Sequence, residues 1–183
     1  MATFVMIPNG TDLSQWDAYP TTGFPALYTN VDNDNGDTEY AFSNTSGQRL
    51  IVDLEAPSVA SGDVDTINSV TIKASARKYL LGNAYVYFRQ TGTAADSSSI
   101  SNGYDTITVP ASGSYATYSG TAETTSDGSD AWVYGDLAGL QIRIEKYRND
   151  RFGELRVSYL YAEVDYTAAV AVTDNATFFG TNF

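Results

Sequence analysis

Leu155-Arg-Val-Ser-Tyr-Leu-Tyr-Ala-Glu-Val-Asp-Tyr166 is the stretch on which the fold class turns. Residues two apart share one face of a strand. Leu160, Ala162, Val164 and Tyr166 therefore lie on one side, and Leu155, Val157, Tyr159 and Tyr161 on the other. Apolar residues at both parities leave two solutions: a bulge switches the phase, or both faces are covered.

The same period of two recurs outward from this segment. Upstream, Leu140, Ile142 and Ile144 alternate with Gln141, Arg143 and Glu145, and Asn149–Gly153 reads as the hairpin turn joining the two strands. Val70, Ile72, Ala74 and Ala76 alternate with Thr71, Lys73, Ser75 and Arg77, which predicts a strand with one wet face. Leu50, Val52 and Leu54 share a face, with Ile51 the exception. Val86 and Phe88 point inward, and Tyr85, Tyr87 and Arg89 outward. Shorter strands are expected at Phe4–Ile7, around Tyr40 and Phe42, near Thr106–Val109 and near Tyr115–Tyr118. Pro8-Asn9-Gly10 reads as a turn, 11–37 as irregular, 91–103 as a loop, and Asp136–Gly139 as one helical turn.

Eight to ten strands at this spacing predict an all-β fold: an antiparallel β-sandwich, jelly-roll-like, with extended N- and C-terminal arms. One domain is expected, with 1–43 an N-terminal strand and irregular leading segment packed on it, 44–167 the sandwich core and 168–183 an apolar arm. A chain of 183 residues buries roughly 70% of its unfolded surface, enough for a core without cross-links. The arm has two readings, a strap on its own domain or a strand added to a neighbouring subunit.

Composition narrows the chemistry. The chain has neither His nor Cys, which excludes Ser-His-Asp and Cys-His nucleophilic sites and the usual zinc sites. A net charge of −12 disfavours nucleic acid and anionic membrane as partners. Met1–Pro8 has no basic region or long apolar run, and nothing approaches the length of a membrane span.

Asp32, Asp34, Asp37 and Glu39 surround Gly36 and suggest calcium, but the spacing fails the EF-hand pattern. A solvated acidic loop is the competing reading, and no cofactor is expected beyond that weak calcium possibility at Asp32, Asp34 and Asp37. Glu163 and Asp165 share a strand face, as a glycosidase carboxylate pair would, or as a stripe paired with the arginines of 143–156. Arg143, Lys146, Arg148, Arg151 and Arg156 concentrate the positive charge, whereas residues 1–48 carry six acids and no base. Such polarity suits contact between subunits. Trp16, Trp132, Tyr85, Tyr87, Tyr159 and Tyr161 suit a core, an interface or a sugar platform.

The order of several motifs resembles a group of virion structural proteins of tailed bacteriophages. The matching residues are Pro8-Asn9-Gly10-Thr11-Asp12, Trp16, Leu27-Tyr28-Thr29-Asn30-Val31-Asp32, Asp37, Tyr40, Trp132, Asp136-Leu137-Ala138-Gly139-Leu140 and Tyr161-Ala162-Glu163-Val164-Asp165-Tyr166. Gly10-Thr11 departs from the layout, which there runs straight into Asp. The resemblance spans residues 4–167 and implies a β-sandwich virion component, made in the host cytoplasm and carried in the virion.

The expected function is that of a non-catalytic capsid decoration (cement) protein, a homo-oligomer with a trimer favoured. Its partners would be the major capsid protein or another virion protein, with no nucleic acid and no membrane. Its contacts would run through Phe4, Ile7, Arg143, Arg148, Arg151, Val170, Val172, Phe178, Phe179 and Phe183. A receptor- or glycan-binding module of a tail or head fibre is the alternative, and a secreted enzyme is the weakest of the three.

Overall fold

The computed structural model describes residues 1–20, 27–78, 82–90, 105–110, 113–126, 129–146 and 153–170. The strands are β1 (Ala2–Met6), β2 (Pro8–Ser14), β3 (Asp17–Tyr19), β4 (Tyr40–Ser43), β5 (Arg49–Leu54), β6 (Val64–Lys78), β7 (Gly82–Gln90), β8 (Asp105–Val109), β9 (Ala116–Ser119), β10 (Leu140–Lys146) and β11 (Leu155–Ala168). The first sheet runs β3-β4-β11-β6-β9, with β1 also paired to β11; the second runs β2-β5-β10-β7-β8. The pairing is antiparallel, and the two sheets form a β-sandwich.

β11 resolves its own ambiguity with a bulge. Val157 pairs with Ala76 and Tyr159 with Ser75, so Ser158 is the extra residue. The phase switches there. Leu155 and Val157 before it, and Leu160, Ala162 and Val164 after it, all point into one core. Tyr159 and Tyr161 are left on the outer face, half-buried.

The core sets large against small. Leu50, Val52, Leu140, Ile142 and Ile144 of the second sheet are buried against a first sheet rich in Ala41, Ala74, Ala76 and Ala162. Trp16 and Trp132 belong to the same core, their indole N–H groups donating to the carbonyls of Gln48 and Glu123. Their burial removes both from any sugar platform. Ile51 has the opposite parity to Leu50 and Val52 yet is fully buried, as are Gln141, Arg143 and Glu145, so the middle of the second sheet is closed on both sides.

Pro8-Asn9-Gly10 is strand rather than turn. The chain crosses from the first sheet to the second at Ile7 and continues as the edge strand β2. An edge tolerates Pro, whose missing N–H costs no ladder bond. The register shifts between Pro8 and Gly10 and again between Thr11 and Leu13. Gly10 has no Cβ to collide with Asp53, whose Oδ2 would lie 2.6 Å from it. Residues 1–43, expected to lead irregularly into the sandwich, supply β1, β3 and β4 to the first sheet and β2 to the second. The helical turn forms at Tyr134–Leu137, capped by the Asp136 carboxylate accepting from the Val133 N–H at 2.9 Å. Gly139, at φ +73°, then turns the chain into β10. The expected loop at 91–103, residues 149–152 of the hairpin turn and 171–183 of the arm lie outside the described residues.

The bulge is open to test by urea denaturation. Ser158→Ala loses one hydrogen bond, to Asp34, and is expected to cost about 1 kcal/mol. Leu160→Ala opens the core and should cost about 2–5 kcal/mol. Deleting Ser158 puts Leu155 and Val157 out of phase with Leu160, so that variant should not fold cooperatively. A deletion as stable as Ser158→Ala would refute the phase-switch account.

Candidate functional site

The outer face of the first sheet carries the chain's organised polar and aromatic chemistry. β11 and β6 set its rows: Arg156 opposite Arg77, Tyr159 opposite Ser75, Tyr161 opposite Lys73, Glu163 opposite Thr71 and Asp165 opposite Ser69.

The acidic segment 31–39 lies across one end of this face. Val31 is buried in the core, and its carbonyl accepts from the Leu160 N–H at 2.9 Å. Asp32 bridges to Tyr159, so the segment continues the pairing along β11 between β4 and β1. Beyond it, Asp34 Oδ1 accepts from Ser75 Oγ at 2.9 Å and from Ser158 Oγ at 3.0 Å. The bulge residue therefore also anchors the strap. Asp37 takes Arg77 and lies 3.5 Å from Arg156, while Glu39 accepts from the Asn35 side chain. The four carboxylates of this segment serve different partners, with Asn33 on Asp32. Among the described residues no group of three or more acidic, His or Cys side chains is placed to hold a metal. Burial raises the Asp32 carboxyl above its ordinary range, opposed by hydrogen bonds from its own backbone and Asn33.

Further along, the Tyr159 and Tyr161 rings stack at 4.5 Å between centroids with planes 27° apart. Burial raises the Tyr159 hydroxyl above its ordinary range, with Tyr161, Glu55, Asp34 and Asp32 adding to it. Lys73 Nζ donates to Glu163 Oε1 at 2.7 Å, and Asn68 Nδ2 to Asp165 Oδ1 at 3.3 Å. Both of these partners come from β6. Val5 of β1, opposite Glu163, is partly exposed beside it.

Four of the residues expected at a subunit contact lie among the described residues. Phe4 is buried, its ring edge-on to Tyr166 at 5.6 Å, and Ile7 is half-buried at the crossing between sheets. Arg143 is buried on the second sheet, donating to Glu145 at 2.7 Å, and Glu145 also takes Arg49 at 3.2 Å. Val170 is exposed. Arg148, Arg151, Val172, Phe178, Phe179 and Phe183 lie outside the described residues. Of the tyrosines, Tyr85 is half-buried on the second sheet, and the side chain of Tyr87 lies outside the description.

Two features escape the sequence reading. Arg77, Arg156 and Asp37 meet although 40 and 119 positions separate the arginines from the aspartate (77 − 37; 156 − 37), and no local pattern links them. Lys78 and Lys146 are fully buried. Their signal was present: Lys78 continues the inward parity of Ala74 and Ala76, and Lys146 that of Ile142 and Ile144. Lys146 Nζ donates to the Asn44 carbonyl at 2.9 Å.

No family model matches the chain, and no curated protein matches it. Among solved structures, it is similar to the CBM36-1 domain of a multidomain xylanase from the hindgut metagenome of Trinervitermes trinervoides. That comparison gives 6% identity and a TM-score of 0.47 over 92% of this chain and 100% of the other. A glycoside hydrolase family 43 arabinoxylan arabinofuranohydrolase from Bacillus subtilis gives 13% identity and a TM-score of 0.42 over 86% of this chain and 25% of that one. The enzymatically active domain of Bacteriophage CBA120 tailspike protein 4 gives 12% and 0.42 over 89% of this chain and 19% of that one. The chain thus spans about a quarter and a fifth of the latter two. Among the described residues no helix is long and apolar enough to cross a membrane.

The buried lysines predict a pH dependence. Burial, with Lys146 adding, lowers Lys78 from 10.5 to about 8. The unfolded chain then binds more protons, so stability should rise with pH from about 8. Tyr115, Tyr118 and Tyr159 are raised by burial from 10.0, which works in the opposite sense above that value. Thermal melts between pH 7 and 10 should show the rise. Lys78→Met should melt higher at neutral pH and flatten the curve; an unchanged slope would count against this account.

Proposed function

We propose that the chain is a non-catalytic binding module of a phage particle, and that the outer face of its first sheet takes a carbohydrate. The observation that carries this reading is the Tyr159–Tyr161 stack on a paired strand, with the Lys73–Glu163 ion pair in the adjoining rows. A sugar has an apolar C–H face and a polar rim. Tyrosine rings match the first, and an ammonium beside a carboxylate matches the hydroxyls of the second. The two rings already pack against each other, so little side-chain freedom is lost on binding.

Catalysis has little support on this face. The chain has no His or Cys to act at neutral pH, and Glu163 and Asp165 are engaged by Lys73 and Asn68. The setting in a phage particle rests on the motif order described above. Capsid decoration is less well supported than glycan binding, because Phe4 and Arg143, offered for a subunit contact, are spent inside the domain.

The test is a glycan array followed by calorimetry on the strongest ligands. Tyr161→Ala and Tyr159→Ala should each weaken binding about 2–10-fold, the worth of one aromatic contact. Glu163→Gln should change which sugar is preferred. Equal affinity for the double tyrosine variant would overturn the assignment of this face. A chain that binds no glycan but saturates capsids would favour decoration.

A further inference from the structure

Arg77 and Arg156 stand directly opposite one another on β6 and β11. Like charges at such positions repel. Two carboxylates offset that repulsion: Glu154 accepts from Arg156 Nε, and Asp37 faces both guanidinium groups. Asp37 meets Arg77 fork to fork, with Oδ1 at 2.5 Å from NH2 and Oδ2 accepting from NH1 at 2.9 Å. Its Oδ1 also lies 3.5 Å from Arg156 NH1. Aromatic rings line both cations: Arg77 lies 5.0 Å from the Tyr115 centroid and Arg156 4.6 Å from that of Tyr40. Paired guanidinium groups against aromatic rings form a receptor for a planar oxyanion.

The exposures separate receptor from occupant. The arginine side chains are 12% and 17% exposed, whereas Asp37 is 60% exposed. The receptor is built into the sheet, and the anion in it comes from a loop facing solvent. Asp37 also leaves donors unused: Arg77 Nε and the Tyr115 hydroxyl are buried and make no hydrogen bond.

We propose that this cradle binds the carboxylate of an acidic sugar, with Asp37 as the chain's own occupant that the ligand displaces. The inference rests on the carbohydrate reading and narrows it to uronic- or sialic-acid glycans. The cradle and Tyr161 lie on one face of one strand, about 15 Å apart at ~3.3 Å per residue, within reach of a short oligosaccharide. Asp34 keeps its two serine partners when Asp37 leaves, so the strap can remain attached while its tip moves.

The experiment compares a glucuronate-bearing oligosaccharide with its carboxyl-reduced counterpart by calorimetry. The wild-type chain should prefer the acid. Asp37→Asn should bind it about tenfold tighter, since the carboxylate facing both arginines is gone while Glu154 stays on the Nε side of Arg156. Arg77→Gln in the Asp37→Asn background should abolish that gain. A folded Asp37→Asn with no gain overturns the proposal, as does equal wild-type affinity for acid and reduced sugar. If Asp37→Asn does not fold, free glucuronate is titrated into the wild-type chain and the Arg77 and Arg156 side-chain N–H resonances are followed. Saturable shifts support the cradle, and none at millimolar ligand overturns it. Failure of this inference is distinguishable from failure of the wider reading: reduced sugar bound equally well, and weakened by the tyrosine variants, sinks only the cradle.

Discussion

The structure depends on β11 being paired along both edges. One edge carries β6 for nearly its whole length; the other carries β4, the Asp32 bridge and β1 in succession. A strand in this position cannot slip, because a one-residue shift turns every side chain to the wrong face. Of the three register shifts along the β6–β11 pairing, the one at Ser158 places the extra residue in β11. It lets Leu155 and Leu160 share a core, and it lifts a hydroxyl to the outer face, where Asp34 takes it. One inserted residue thus serves packing on one side of the sheet and loop attachment on the other.

The charge of −12 is managed by pairing on the sheet surfaces rather than by exposure alone. Asp37, Glu163 and Glu145 each meet a cation from a strand, and each lies at a different place on the two sheets. The Asp37 and Glu163 pairs, at partly exposed positions, contribute little to stability individually, whereas the Glu145–Arg143 pair is buried. Their larger effect is geometric: they fix where the strap lies and which groups of the outer face remain available. The buried lysines are the exception to pairing on the surface, closing the inward rows of β6 and β10 with amines whose protonation burial opposes.

The sandwich was legible in the sequence because alternation is a local signal. The inward sets of β5, β6 and β10 read correctly from parity, while for β11 the bulge was one of the two solutions left by Leu155–Tyr166. Pro8-Asn9-Gly10 misled because turn residues and an irregular edge strand share a composition; the difference lies in Asp53, which is far away in the chain. The acidic segment read as a calcium loop or a solvated loop because its partners, Ser75, Ser158, Arg77 and Arg156, come from strands that only the tertiary fold brings near. The tyrosine pair was visible as two rings sharing one face of a strand, but its stacking and its ion-pair neighbour were not, since Lys73 meets Glu163 only through the β6–β11 register.

The pairing of Ala2 with Tyr166 has a geometric consequence. The first and last of the described strands lie side by side and antiparallel, so the start of β1 and the end of β11 meet at one corner. Anything joined before β1 and anything joined after β11 would be attached at that same corner. The domain is then a pendant rather than a link: it can be inserted into a surface loop of another protein without the host's chain being pulled apart. Load passing along such a host would bypass the sandwich, leaving its outer face undisturbed.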